Sequence, residues 1–71
     1  MNVKKVKAVK ALLLANGWTY SRTKGDHWIY RKDGAPRSIP VPGKDNDDIA
    51  IGTLNSILRQ AGLTEADFDK I

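Results

Sequence analysis

Two apolar helical stripes, one in each half of the chain, most constrain how this sequence can fold. The first predicts a helix over residues 3–16, which Gly17 ends because glycine adopts the left-handed backbone conformation at no steric cost. The second predicts a helix that follows an N-cap at Thr53 and that Gly62 ends in the same way. The core-facing members of the two stripes are Val3, Val6, Val9, Leu13 and Leu14, then Leu54, Ile57, Leu58 and Ala61.

The residues between the helices have the composition of β-strands. Their aromatic and β-branched content predicts strands over residues 18–23, 27–32 and 37–41. Asp33-Gly34 supplies turn chemistry between the second and third strands, which therefore form a hairpin. Pro40 has no amide hydrogen to donate, so the third strand is expected either to lie at a sheet edge or to leave the sheet at this residue. The side chains expected to face the helices are Ile29, Ile39 and Val41.

The last residues predict a short third helix. Thr64-Glu65-Ala66-Asp67 has the form of a capping box, with Leu63 and Phe68 placed as a hydrophobic staple. The order of helix, three strands, helix and short helix predicts an α+β sandwich with a three-stranded antiparallel sheet. Both long helices cover one face of this sheet, and the other face stays open. Residues 1–71 are expected to form a single domain.

Composition excludes several classes of site. The chain has no cysteine, which rules out disulfides and thiolate metal ligands, and its single histidine leaves a zinc site dependent on carboxylates. Neither a metal nor a cofactor is therefore expected. No apolar run approaches the roughly 20 residues that span a membrane, and no signal-peptide pattern opens the chain. We expect a soluble cytoplasmic protein with no membrane partner.

The net charge of +4 is distributed unevenly along the chain. Residues 1–38 contain nine lysines and arginines against two aspartates, whereas residues 39–71 contain three basic and six acidic residues. A basic first half suits the phosphate backbone of a nucleic acid. The alternative is a lysine-rich helix face that is merely solvated.

The single histidine, His27, is the first candidate for chemistry. It follows the loop Gly25-Asp26 at the predicted start of the second strand, with Arg22 and Lys24 just before it. Imidazole takes or gives a proton near neutral pH, and functional groups often lie on loops held by a rigid scaffold. The alternative is a structural histidine whose ring is satisfied by a backbone carbonyl.

RNA is the substrate that such a site fits best. A base can remove the proton of the ribose 2′-hydroxyl, whose oxygen then attacks the adjacent phosphorus while cations stabilise the developing charge. DNA lacks this hydroxyl, so a site with one histidine and no metal favours RNA. The sequence leaves open whether His27 is the base or the acid. Asp26 either pairs with the imidazole ring or caps the turn.

Other residues near His27 are candidates for holding RNA. Lys24 and Arg22 are the preferred phosphate ligands. Trp28 and Tyr30 share one parity. They either stack bases on the open sheet face, or they shield the sheet or pack against a partner protein. Two non-catalytic functions therefore remain as alternatives. One is an RNA-binding module that recognises duplex shape, and the other is an adaptor that binds only protein.

Three stretches together resemble the HicA toxins of bacterial HicA–HicB toxin–antitoxin pairs. They are Gly17-Trp18 to Arg22, Lys24-Gly25-Asp26-His27 through Ile29-Tyr30, and Gly52-Thr53-Leu54 through Ala61-Gly62-Leu63. The likeness covers nearly the whole chain. It implies a fold similar to a double-stranded RNA-binding domain and a small endoribonuclease that cleaves messenger RNA. It also implies a HicB antitoxin that silences the enzyme by covering its active site.

The resemblance assigns the catalytic histidine to His27 and the preceding glycine to Gly25. Two departures from the family pattern stand out. Asp26 occupies a position where members commonly have Ser or Gly, which puts a negative charge beside the ring. Many members also carry a further histidine after the third strand, where this chain has Gly43-Lys44-Asp45.

Overall fold

The N-terminal segment forms a short strand before it forms a helix. In the computed structural model, which describes residues 3–70, strand β1 is Lys4–Lys5 and helix α1 is Val6–Ala15. β1 pairs antiparallel with strand β5, Asp48–Ile49, so that Lys4 lies opposite Ile49. The predicted start of the helix at residue 3 is therefore wrong. Pairing with a distant segment holds Lys4 and Lys5 extended, and at the first residue of the helix the Val6 amide donates to the Asp47 carbonyl.

The buried face of α1 differs from the predicted stripe at its margins. Its fully buried residues are Val6, Val9, Leu12 and Leu13. Val3 is 51% exposed and Leu14 is 54% exposed, so both predictions of burial are wrong. Leu12 takes the place of Leu14 because it follows Val9 by three residues and so lies on the same side of the helix.

Both long helices end as predicted. Gly17 and Gly62 have φ angles of 89° and 70°, in the left-handed region. In each case the amide of the following residue donates to the carbonyl five positions back, which is the Schellman arrangement. These bonds join Trp18 to Leu13 at 3.0 Å and Leu63 to Leu58 at 2.9 Å.

The second long helix begins earlier than predicted. Helix α2 spans Ile51–Ala61, and its N-cap is Ala50, which offers no side-chain hydrogen bond. The predicted N-cap at Thr53 is wrong, since Thr53 lies inside the first turn. The predicted buried face is confirmed by Leu54, Ile57 and Leu58.

The C-terminal segment forms a 3₁₀ helix, Glu65–Lys70. The Asp67 carboxylate accepts the Thr64 amide at 2.7 Å, as the capping box predicts. This hydrogen bond lowers the pKa of Asp67. Leu63 and Phe68 both pack against the core, so the short helix folds back on the domain.

The main sheet has the predicted number and order of strands. It consists of β2 (Thr19–Lys24), β3 (His27–Arg31) and β4 (Ile39–Pro42), paired antiparallel in sequence order. The two helices pack against it around one core cluster, which confirms the α+β class. No helix within residues 3–70 is long and apolar enough to cross a membrane.

The register of β3 and β4 decides which side chains meet the helices. Trp28 lies opposite Val41 and Tyr30 opposite Ile39, and residues opposite each other share a face. Ile39 and Val41 are buried, as predicted. Trp28 and Tyr30 therefore face the helices, and Ile29 faces away. The predicted assignment of these three side chains to the two faces is wrong, because the aromatic residues, and not Ile29, supply the apolar surface of β3.

Candidate active site

A two-residue turn presents His27 at the first position of β3. Gly25 and Asp26 connect β2 to β3, and Lys24 is paired with His27 across the turn. Gly25 has a φ of 58° at the first central position, the arrangement typical of type II′ hairpin turns. Glycine reaches this angle at no steric cost, so the turn fixes the register that places His27. The His27 side chain is exposed to solvent.

The pairing of β2 with β3 places two cations on the same face as His27, and a bulge next to them turns Tyr20 to the other face. Tyr20 pairs with Tyr30, whereas Arg22 pairs with Ile29, which leaves Ser21 without an opposite residue. Simple alternation would place Arg22 on the face of Tyr20. The extra residue breaks this alternation, so Tyr20 lies on the helix side with Tyr30. Arg22 and Lys24 lie on the side of Ile29 and His27, the residues opposite them. We call this side, turned away from both helices, the open face.

The open face thus unites three of the residues predicted for the site. Lys24 lies directly opposite His27, and Arg22 lies one pair further along the strands. All three side chains are exposed. On the other flank of β3, Pro42 is opposite His27 and Pro40 is opposite Ile29. The imidazole therefore has an apolar neighbour on one side and a cationic neighbour on the other.

An open cleft of about 640 Å³ adjoins His27 at this end of the sheet. Its volume lies within the usual range of ligand sites. Besides His27, its ionisable lining residues are Asp26, Lys44 and Asp47. The lining residues are Thr23, Gly25, Asp26, His27, Trp28, Pro42, Gly43, Lys44 and Asp47.

Hydrogen bonds hold the wall of the cleft that follows β4. The Gly43 amide donates to the Asp26 carbonyl at 3.1 Å, and the Trp28 indole Nε1 donates to the Gly43 carbonyl at 2.7 Å. The Lys44 amide donates to the Asp47 carboxylate at 3.0 Å. The loop after β4 is therefore tied to both the turn and the sheet.

Trp28 also joins this wall to helix α1. The Lys10 ammonium lies 3.3 Å from the centre of the Trp28 ring and 2.6 Å from the Asp45 carboxylate. An ammonium group over an indole face is attracted by the ring electrons, most strongly where water is partly excluded. Lys10 is such a case, with its side chain only 14% exposed. Trp28 therefore holds the cleft wall in position from the helix side of the sheet.

Tyr30 has no access to the open face. Its side chain is 4% exposed and belongs to the core cluster. Burial, and secondarily the charge of Asp45, raises the pKa of Tyr30. The prediction that Trp28 and Tyr30 stack bases on the open face is wrong in its geometry, since both rings lie on the helix side.

Most of the sequence matches one toxin family. The family model described as the HicA toxin of bacterial toxin–antitoxin matches residues 6–63. The chain belongs to the HicA toxin family. The predicted resemblance is confirmed, and the protein is a toxin of a toxin–antitoxin system whose partner is an antitoxin. No curated protein matches the chain significantly.

Five residues that line this HicA toxin's cleft were not predicted as site residues, and two of them, Lys44 and Asp47, are charged. Lys44 and Asp47 come from the loop after β4, which has no helical or strand periodicity to reveal its position. Lys10 gave a clearer signal, because it is a charged residue within the apolar arc of α1. Among residues 3–70, no group of three or more His, Asp or Glu side chains is placed to hold a metal ion.

The Asp26 side chain has no bonded role in the described part of the toxin. Its backbone carbonyl accepts the Gly43 amide, while its carboxylate forms no hydrogen bond or ion pair with another described residue. Asp26 therefore contributes to the wall through its main chain. Asp26 lines the cleft next to His27.

Proposed function

We propose that this HicA toxin is an endoribonuclease that cleaves messenger RNA in the cytoplasm without a metal ion, with His27 as its proton-transfer residue. The observation that carries the proposal is the position of His27. The only histidine of the chain is exposed beside an open cleft, with Lys24 directly opposite on the same face. HicA family membership supports the same reaction class, because these toxins are generally ribonucleases.

The reaction uses a nucleophile that the RNA itself supplies. A base removes the proton of a ribose 2′-hydroxyl, and the oxygen forms a bond to the adjacent phosphorus. The bond from phosphorus to the 5′ oxygen of the next nucleotide breaks, and that oxygen takes up a proton. The products are a 2′,3′-cyclic phosphate and a 5′-hydroxyl. His27 serves one of the two proton transfers, and water serves the other.

The neighbours of His27 have distinct proposed roles. Lys24 and Arg22 bind phosphate and stabilise the negative charge that builds on its oxygens in the transition state. Gly25 sets the turn that aims the imidazole. Asp26 brings a negative charge close to the incoming phosphate, which weakens RNA binding. Trp28 keeps the cleft wall in place, whereas Tyr30 serves the core.

The substitution His27→Ala tests the proposal. Cleavage of RNA and growth arrest should disappear, while RNA binding stays within a few-fold of wild type because the cations remain. Cleavage by the wild type should persist in EDTA, and a 2′-deoxy nucleotide at the cut site should block it. Cleavage by the His27→Ala variant, or of the 2′-deoxy substrate, would contradict the mechanism.

A non-catalytic RNA-binding module is the second candidate, and the exposed cations of the open face favour it. This alternative predicts that wild-type protein binds RNA, with an affinity that falls steeply with salt, but leaves the RNA intact. An adaptor that binds only protein predicts no RNA affinity even at low salt. A cleavage assay and a binding assay on the same preparation therefore separate all three functions.

We further propose that the antitoxin is of the HicB type and that it covers His27. Competition provides the test. An antitoxin that covers the open face should lose affinity when RNA occupies that face. It should also lose affinity in a variant with Lys24 and Arg22 replaced by glutamine.

A further inference from the structure

The open face carries a line of three cations along strands β2 and β3. Successive pairs on this face are Lys24 with His27, Arg22 with Ile29, and Thr19 with Arg31. Each pair supplies one permanently charged side chain. Lys24 and Arg22 are two residues apart on β2, and Arg31 is two residues from Ile29 on β3, so regular alternation keeps all three on one face. The bulge at Ser21 lies beyond Arg22 and brings Thr19, three residues before Arg22, to the same face.

The spacing along this line suits one strand of RNA. Along β3 the successive pairs on this face, at His27, Ile29 and Arg31, are two residues apart, which corresponds to about 6.8 Å along a strand. This step is comparable to the separation of adjacent phosphates in an extended single strand. A protein groove that follows a single strand combines such cations with surface on which bases can lie.

The charge distribution around these three cations favours the binding of a polyanion. None of Lys24, Arg22 and Arg31 forms an ion pair with a carboxylate of residues 3–70, whereas Lys5 and Lys10 do so with Asp48 and Asp45. The open face of the three strands carries no acidic side chain; Asp26 lies in the turn beyond them. Ile29 and its opposite residue Pro40 offer apolar surface beside the cations.

We propose that the substrate is a single RNA strand bound along β2 and β3, with consecutive phosphates at Lys24, Arg22 and Arg31. The scissile phosphate lies at the His27 end, so the track extends to one side of the cut. This inference rests on the proposed ribonuclease function and adds Arg31 as a third phosphate subsite. It also predicts that cleavage accelerates as the substrate lengthens across two further phosphates and then levels off.

The salt dependence of RNA binding tests the track. An eight-nucleotide oligouridine is titrated with the His27→Ala chain, so that no cleavage occurs, at salt concentrations from 50 to 300 mM. Each phosphate contact contributes about 0.7 to the slope of log affinity against log salt for single strands. Arg31→Gln should lower the slope by about this amount, and so should Arg22→Gln.

Arg59→Gln is the matched control, since it makes the same chemical change on helix α2, on the other side of the sheet. Its slope should equal that of the parent chain. Circular dichroism establishes that each variant is folded. If Arg31→Gln leaves the RNA salt slope unchanged but weakens the binding of an antitoxin, then Arg31 contacts the antitoxin and not RNA. That result would overturn the inference.

The outcomes separate the track from the ribonuclease proposal. Equal slopes for Arg31→Gln and Arg59→Gln, or stronger binding of duplex RNA than of the single strand, would overturn the track and leave cleavage by His27 unaffected. Cleavage that survives His27→Ala would instead overturn the catalytic role, whatever the slopes are.

Discussion

Replacing Trp28 by phenylalanine should lower the stability of this toxin without lowering its affinity for RNA. The indole Nε1 donates to the Gly43 carbonyl at 2.7 Å, and phenylalanine has no such donor. The remaining ring still lies between Lys10 and the sheet, so the packing of α1 is largely kept. If Trp28 stacked on bases, the same change would act on RNA affinity and not on stability.

The size of the effect follows from the contacts of the indole. One lost hydrogen bond costs about 0.5–1.5 kcal/mol, with a further penalty where the carbonyl stays unpaired in a partly buried position. We therefore expect the free energy of unfolding to fall by about 1–2 kcal/mol. For a domain of this length, 1 kcal/mol corresponds to about 4–8 °C in Tm, so the melting temperature should fall by roughly 5–15 °C.

Thermal unfolding followed by circular dichroism measures this change, and RNA binding is measured well below the transition. Tyr20→Phe is the control, because it removes an aromatic polar atom whose 2.6 Å hydrogen bond to Thr23 is exposed. That variant should melt within a few degrees of wild type. An unchanged Tm for Trp28→Phe, together with a several-fold loss of RNA affinity, would refute the positioning role of Trp28.

Two further predictions concern stability. Leu12→Ala should lower the free energy of unfolding by about 2–5 kcal/mol because Leu12 is fully buried, whereas Leu14→Ala should change it by less than about 1 kcal/mol; urea titration measures both, and equal losses would contradict the assigned face of α1. Asp67→Asn removes a carboxylate whose pKa the Thr64 amide lowers. The stabilisation from Asp67 is present above its unfolded pKa and is lost as the pH falls through the lower folded value. The variant should therefore be less stable than wild type at pH 6, with a gap that closes in acid; a gap that stays constant down to pH 2 would argue against the capping role.

Local signals explain the parts of this fold that the sequence predicts correctly. The ends of both helices depend on a glycine and the residues just before it, so Gly17 and Gly62 are decisive. The turn at Gly25 likewise needs only neighbouring residues, and it places His27 as expected. The starts of the helices have weaker local signals. Pairing with a strand far along the chain holds residues 4–5 extended, and α2 begins without a side-chain cap.

Register explains most of the differences at the site. Alternation along β2 fails at Ser21, because a bulge depends on how two strands pair and not on either strand alone. The face of Trp28 follows from its pairing with Val41, which the composition of β3 does not reveal. The loop that brings Lys44 to the cleft is fixed by contacts with distant residues such as Asp26.

The pairing of β1 with β5 has a consequence for how this toxin folds during translation. Lys4 emerges first, but its partner Ile49 follows only after the whole β2–β4 sheet has been synthesised. Contacts between such distant positions delay completion of a fold, since a long loop must close before they form. During translation, the pairing of β1 with β5 therefore forms only after Ile49 has been synthesised. Until then, the β2–β3 hairpin that carries His27 lacks this pairing.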